Sequence, residues 1–310
     1  MYAMLIVNPH ATSTTERRRD LLTHALAGEV RLRVEHTHGR GHAAELAAKA
    51  TEDGVDMVVV HGGDGTVNEV TNGLLAGGLR SDLPMLAIVP GGSTNVFARA
   101  VGIEPDPTAA TEQILEALST GRDPRTVSVG RAGRRYFTFN AGIGIDADVV
   151  RRVEQHRAAG RRISNALHVK EAIAAYRRHD RGSGRLVVTL PGDDPIPHCH
   201  VAFVSNVDPW SYLGRRPIRT NPGTSPDHGL GVFVSRSLRL PTVVSAVRQL
   251  LRSRPGRGPH GRQLIRIDDV AWLRAASSGG PVGVQADGDY LGEFDEVEFV
   301  SVPGALRVVV

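Results

Sequence analysis

Cysteine is nearly absent from this chain. Cys199 is the one cysteine in 310 residues, so no disulfide can form within it and a reducing, cytoplasmic setting is expected. No Cys-x-x-Cys pair exists to hold zinc, and the 13 histidines show no His-Glu-x-x-His spacing. Lysine is almost as scarce, with only Lys49 and Lys170. Gly-Lys-Ser and Gly-Lys-Thr are missing, which excludes a Walker phosphate loop. His-Arg-Asp and Asp-Phe-Gly are missing too, which excludes the protein-kinase pattern. No apolar run approaches the ~20 residues of a membrane-spanning helix. The opening MYAMLIVNPH has a short apolar run but no basic region or small-residue cleavage site, so no signal peptide is expected.

What is present is a globular composition, 41% hydrophobic and 23% charged, with length for one large domain or two ordinary ones. Arginine supplies the cations, and the net charge is +4 with a pI near 9.6. A basic surface favours anionic partners: nucleotides, acidic lipid headgroups or nucleic acid.

Strand and helix signals alternate through the first part. MLIVNP (4–9), RLRVEHT (31–37), VDMVVV (55–60) and PMLAIVP (84–90) read as strands. Leu21, Leu22, Ala25 and Leu26 mark one helix, and HAAELAAKATEDG (42–54) a second. Val67, Val70 and Leu74 line a third, and VFARAVG forms a fourth. This alternation predicts a parallel sheet, whose ligands bind beyond the carboxyl ends of its strands. Beyond residue 125 short β-rich runs dominate, among them RYFTFNAGIG, QLIRIDDVAWLRA, PVGVQADGDY, EVEFVSV and LRVVV. Two helices interrupt them, one within 163–179 and one at 241–252, the latter with Val243, Val247 and Leu250 on one face. Gly142-Ile143-Gly144 makes a poor dinucleotide fingerprint and reads as a tight turn. RSRPGRGPHGR (252–262) is a basic loop.

The chemistry concentrates in HGGDGTVNEVTNGLL (61–75). Glycines permit positive φ and close backbone approach, so N–H groups can face phosphate oxygens, and a helix N-terminus adds to the attraction. A carboxylate there fits if Mg²⁺ accompanies the phosphates, with Asp64 as its ligand. The plainer alternative is a tight turn with Asp64 as a helix N-cap.

Together with VPGGSTNVFARAVGI (89–103), IVNPHA, THGRGHAAELA (37–47) and QADGDYLGE (285–293), this stretch resembles the diacylglycerol kinase and sphingosine kinase catalytic-domain superfamily. The likeness runs through the chain in order and is greatest to soluble bacterial lipid kinases of the actinobacterial type, with their GGSTN loop. It implies an α/β N-terminal domain with a parallel, nucleotide-binding sheet (1–125). An antiparallel β-sandwich-like C-terminal domain (126–310) would follow, its last strand able to pack back on the first, with the active site in the cleft between them. ATP would meet Asn8, Thr37, the loop Gly62, Gly63, Asp64, Gly65, Thr66, Val67 and Asn68, and the turn Ser93, Thr94 and Asn95. Mg²⁺ would come with the nucleotide. Val96 stands where the family usually has a carboxylate. Asp287 matches the family's general base, and Asp289 replaces its usual glutamate. Bacterial members also carry an Asp-Asp-Gly-Leu element whose second aspartate holds a structural Mg²⁺; here it is Asp227-His228-Gly229-Leu230, which leaves Asp227 as its one carboxylate and puts a poor Mg²⁺ ligand at the second position.

The implied activity is transfer of the γ-phosphate of ATP to a hydroxyl of a diacylglycerol-like or long-chain-base lipid. The chain would be cytoplasmic and peripheral to the inner face of the membrane, with no nucleic-acid partner and with a homodimer possible. An NAD kinase shares GGDGT, and a non-catalytic nucleotide or lipid sensor could keep the same fold. Arg151, Arg152, Arg157, Arg161 and Arg162, with the loop 252–262, suit an anionic membrane or a solvated surface equally. Trp210 and Tyr212 edge a lipid cleft or simply pack.

Overall fold

A computed structural model describes every residue except 12–15, 162–163, 180–181, 183, 215 and 253. The chain divides into two units, Met1–Val129 with Pro303–Val310, and Gly130–Val302.

The first unit alternates β1 (Tyr2–Val7), α1 (Glu16–Ala27), β2 (Arg31–His36), α2 (His42–Glu52), β3 (Met57–Gly62), α3 (Asp64–Leu74), β4 (Met85–Pro90), α4 (Val96–Ala100), α5 (Pro107–Thr120) and the start of β5 (Arg125–Ala132). Its strands lie in the order β2-β1-β3-β4 and are parallel. β3 is buried at every position, as an aliphatic strand covered on both faces should be. The apolar stripe of α3 is buried at Val67, Val70 and Leu74. Among the described residues of α1 only Leu22 and Leu26 are buried; Leu21, expected beside them, is 62% exposed because the i, i+4 stripe excludes it. α5 has no counterpart in the sequence reading, although its signals are plain. Asp106 caps the N–H groups of Thr108 and Ala109, Pro107 follows, and Gly121 closes the helix at φ 64°.

The second unit contains β6 (Arg135–Phe137), β7 (Asn140–Gly144), α6 (Ile145–Ala158), α7 (Asn165–Arg178), β8 (Leu186–Thr189), β9 (Ile196–Cys199), β10 (Val201–Ser205), β11 (Ser211–Leu213), β12 (Arg216–Ile218), β13 (Leu230–Ser235), α8 (Leu240–Leu251), β14 (Leu264–Val270), β15 (Trp272–Ser277), β16 (Val282–Ala286), β17 (Asp289–Phe294) and most of β18 (Glu296–Val308). One antiparallel sheet runs β14-β13-β10-β7-β16-β17. In a second, β18 pairs β15, β15 pairs β8, and β8 pairs β9, all antiparallel. Ile143, Val204, Val232 and Val284 from the first sheet share one core with Val188, Leu273, Ala275 and Phe299 from the second. This is the sandwich-like arrangement expected. The end of β18 returns to the first unit, where Val308 pairs in parallel with Leu86 of β4.

One expectation fails here. Gly142-Ile143-Gly144 is no tight turn but the buried end of β7, running directly into α6. A Cβ on Gly142 would overlap the Asp146 carboxylate, and Gly144 turns the chain at φ 89°. α8 exists as expected, but it buries no residue at all, and Val247 is 47% exposed.

Candidate functional site

In the first unit the two glycine-rich loops follow adjacent parallel strands. The Gly91 N–H donates to the Gly62 carbonyl at 2.7 Å, as if the ladder between β3 and β4 ran one step further. None of Gly62, Gly63, Gly65, Gly91 or Gly92 has positive φ, against expectation. Gly62, Gly63, Gly91 and Gly92 serve close approach instead: a Cβ on Gly92 would lie 2.7 Å from the Gly63 Cα. The residue with positive φ is Asn95, at 47°. Its side chain clamps its own loop, accepting from the Gly92 N–H at 3.0 Å and donating to the Gly92 carbonyl at 2.9 Å. Asn tolerates the left-handed region, and this local bonding is its usual compensation.

Asp64 is the first residue of α3, not its cap; Gly63 holds the N-cap position and no side chain caps the helix. The Asp64 carboxylate accepts the Thr94 hydroxyl at 2.9 Å, which joins the two loops. Asn8, at the end of β1, donates to the Thr66 hydroxyl at 2.9 Å, and the Thr37 N–H donates to the Val7 carbonyl at 2.9 Å. Asn8, Thr37 and Thr66 therefore come together, and with His10, Gly39, Arg40 and Glu69 they line a cavity of about 210 Å³. Arg40 lies within THGRGHAAELA and Glu69 within HGGDGTVNEVTNGLL, but nothing in either stretch marks them as cavity residues. Gly65 and Ser93 are exposed beside the loops. Val67 and Asn68 are buried within α3, so their side chains belong to the unit's interior. Val96 is buried as well, an apolar residue beginning α4.

In the second unit Asp287 occupies the β16–β17 turn at φ 49° and is 7% exposed. Its Oδ2 accepts from the Thr138 N–H at 2.6 Å and the Thr138 hydroxyl at 2.7 Å. Its Oδ1 accepts from the N–H groups of Phe139 and Asn140, each at 3.0 Å. Burial raises the Asp287 carboxyl above its usual range, and these donors pull the other way by holding the anion. The break between β6 and β7 follows from the same bonds, because the N–H groups of residues 138–140 face a carboxylate. Asp289 is more accessible, with its side chain 20% exposed, and pairs with Arg135 at 3.2 Å. Thr138 and Arg135 gave no signal in the sequence; their partners lie about 150 positions away.

The remaining candidates separate from these clusters. Asp227 is exposed in a turn and accepts the Ser225 hydroxyl at 2.9 Å. Among the described residues no group of three His, Cys, Asp or Glu side chains converges to hold a metal. Arg151 pairs with Glu293 at 3.1 Å and lines, with Arg152, Arg178 and His200, a cavity of about 390 Å³. Arg157 and Arg161 are exposed, and Arg162 lies outside the described residues. Trp210 packs edge-on against Phe203, ring centres 5.0 Å apart, and Tyr212 lies in the β11–β12 hairpin. No described helix is long and apolar enough to cross a membrane.

Comparison with known proteins follows the same lines. Residues 2–127 match the diacylglycerol kinase catalytic domain. A protein of Chromohalobacter salexigens described as "probable lipid kinase YegS-like" is 37% identical over 146 residues, 47% of this chain and 44% of that one. The diacylglycerol kinase of Bacillus subtilis is 38% identical over 106 residues, 34% of this chain and 32% of that one. The chain thus spans less than half the length of these curated relatives. A crystal structure of a diacylglycerol kinase from Bacillus anthracis str. Sterne superposes with a TM-score of 0.71 at 21% identity, covering 99% of this chain and 96% of that one. Yeast NADH kinase shares the fold more distantly, with a TM-score of 0.54 at 10% identity over 99% of this chain and 82% of that one. The likeness to the diacylglycerol kinase catalytic domain thus lies in residues 2–127, the stretch that carries both glycine loops.

Proposed function

We propose that the chain is an ATP-dependent lipid kinase that transfers the γ-phosphate to a hydroxyl of a diacylglycerol-like or long-chain-base lipid. The observation that carries this reading is the pair of glycine loops beyond β3 and β4, packed backbone on backbone and joined by Asp64 and Thr94. Backbone without side chains lets phosphates approach closely, and the start of α3 favours their charge. The adjoining cavity of about 210 Å³ is smaller than the ~300–1,000 Å³ of a whole small-molecule site, so it takes part of a nucleotide. Asp64 is the carboxylate suited to Mg²⁺. Among the described residues no group of three His, Cys, Asp or Glu side chains converges there, so the ion would complete its shell with phosphate oxygens and water. When bound, Mg²⁺ offsets charge on the phosphate oxygens.

Asp287 is the group that takes the hydroxyl proton in this reading. Burial raises its proton affinity, which suits a base. Three of its donors are backbone N–H groups, fixed in place; the fourth is the Thr138 hydroxyl, which can rotate away. A lipid hydroxyl then replaces one O–H donor with another at Oδ2. Asp289, paired with Arg135, orients the turn.

The fold is shared with an NADH kinase, so fold alone does not choose the acceptor. The purified chain should be incubated with γ-labelled ATP and Mg²⁺, with a lipid extract in one arm and NAD in the other. Label is expected in the organic phase and lost on chelation. Label on NAD, or tight ATP binding without any transfer, overturns the proposal.

A further inference from the structure

Among the described residues α8 stands out as a long apolar helix with an uncovered outer face. LPTVVSAVRQLL is apolar around most of its circumference, yet none of its residues is buried. Val243, Ala246 and Leu250 are half-buried on its inner side. On the outer side Leu240, Val244 and Val247 recur at i, i+4 and i+7, and the half-buried Leu251 continues the stripe at i+11. Leu240 is 60% exposed, Val244 55% and Val247 47%. A helix that faced only water would carry polar residues there.

The charge around this stripe has one sign. Residues 228–267 contain eight arginines and no aspartate, glutamate or lysine. Arg239 is the N-cap of α8 and Arg252 its C-cap, and Arg248 lies beside the stripe. Arg254, Arg257 and Arg262 are exposed in the loop that follows. That loop is tied to the helix. The Gln249 side chain donates to the His260 carbonyl at 3.0 Å and accepts the His260 N–H at 3.1 Å. The loop arginines are therefore held beside the apolar stripe. Among the described residues none of these six arginines forms an ion pair.

We propose that α8 and the loop 252–262 form a docking surface for an anionic lipid bilayer, with the Leu240–Val244–Val247–Leu251 stripe inserted at the interface and the arginines on the headgroups. An aliphatic stripe rimmed by arginines without a single acid is complementary to acyl chains under a negatively charged surface. The proposal deepens the lipid-kinase reading, because it names the surface on which the chain would meet its substrate. It does not need that reading to be tested.

The full chain should be sedimented with phosphatidylcholine vesicles with and without phosphatidylglycerol, beside Val244→Asp/Val247→Asp and Arg254→Gln/Arg257→Gln. The sites are exposed, and unchanged melting would show that the variants fold. The parent should bind the anionic vesicles and release them as salt rises. The valine pair should weaken binding by about tenfold or more, and the arginine pair should remove part of the salt-sensitive component. Val247→Trp supplies a direct readout: its emission should shift to the blue on anionic vesicles and be quenched by brominated acyl chains. Unchanged binding of the valine pair, or an unshifted tryptophan, overturns the proposal. So does a dimeric parent whose valine variant is monomeric while vesicle binding persists, since a second copy would then cover the stripe. Docking through α8 without phosphate transfer to lipid would leave this inference standing and overturn the kinase reading; transfer without docking through α8 would do the reverse.

Discussion

Asp287 carries two demands that a single substitution can separate. As an anchor it holds four donors; as a base it must accept a proton. Asp287→Asn turns an NH₂ group toward N–H groups that now donate to the carboxylate. A buried donor left facing a donor costs ~1–3 kcal/mol, so the variant should melt earlier as well as lose activity. Loss of the base alone would lower kcat by ~10²–10⁴ with the melt unchanged. Thr138→Val complements it, because the isosteric side chain removes only the hydroxyl donor from Oδ2. If Asp287 is the base proposed above, that variant should keep lipid phosphorylation, since it vacates the place at Oδ2 that a substrate hydroxyl would take. Melting curves and radiolabel transfer on both variants decide the matter, and an inactive, fully stable Thr138→Val would show that the hydroxyl itself takes part. Asp64, Thr94 and Asp287 were legible in the sequence because each sits in a short motif. The Thr138 and Arg135 contacts were not, because a motif says nothing of partners some 150 positions away. The Asn95 clamp on Gly92 spans three residues and could have been read from GGSTN as a local turn.

At the scale of elements the glycine loops divide into positions that pack and positions that leave room. Gly92 faces the Gly63 Cα at 2.7 Å, whereas nothing lies within 4 Å of a Cβ on Gly65. Gly65 is helical, in the first turn of α3, where alanine is preferred by roughly 0.5–1 kcal/mol. Gly65→Ala should therefore fold at least as stably as the parent, and Gly92→Ala should force the loops apart and lower the melting temperature. If the space above Gly65 is where phosphate sits, Gly65→Ala will also bind ATP more weakly despite its stability. Undiminished ATP binding by isothermal titration would place the phosphates elsewhere. Element existence was readable where periodicity was strong, as in β3 and α3, but partners were not. RYFTFNAGIG looks like one strand and is two, interrupted where N–H groups turn to Asp287. QLIRIDDVAWLRA also divides, near Asp269 at φ 59°, and its halves β14 and β15 join different sheets. EVEFVSV and LRVVV look like two strands and lie in one, β18. α8 shows the same limit from the other side: an apolar stripe predicts a helix, not whether anything covers it.

At the scale of the whole chain, carboxyls wholly or partly withdrawn from water make stability depend on pH in an unusual sense. Asp146, in the first turn of α6, is pushed up to about 6 by burial, partly offset by the Gln285 side chain, which donates to it at 2.8 Å. Asp148 and Asp287 are raised in the same direction, again chiefly by burial. Between pH ~4 and ~6 the folded chain keeps the Asp146 proton that the unfolded chain has released. Its contribution is fully present below about pH 4 and is lost as pH rises through about 6, so this group favours the folded state at mildly acid pH. Two pH units correspond to roughly 2–3 kcal/mol. Asp146→Asn mimics the protonated form and can still accept from Gln285. It should gain on the order of 2 kcal/mol over the parent at pH 7 and nothing at pH 4, and its urea midpoint should vary less between these limits. Urea titrations of both proteins across pH 4–8 provide the measurement. Parallel curves at every pH would mean that Asp146 stays ionised in the folded chain, stabilised by the N-terminus of α6 more than burial opposes it.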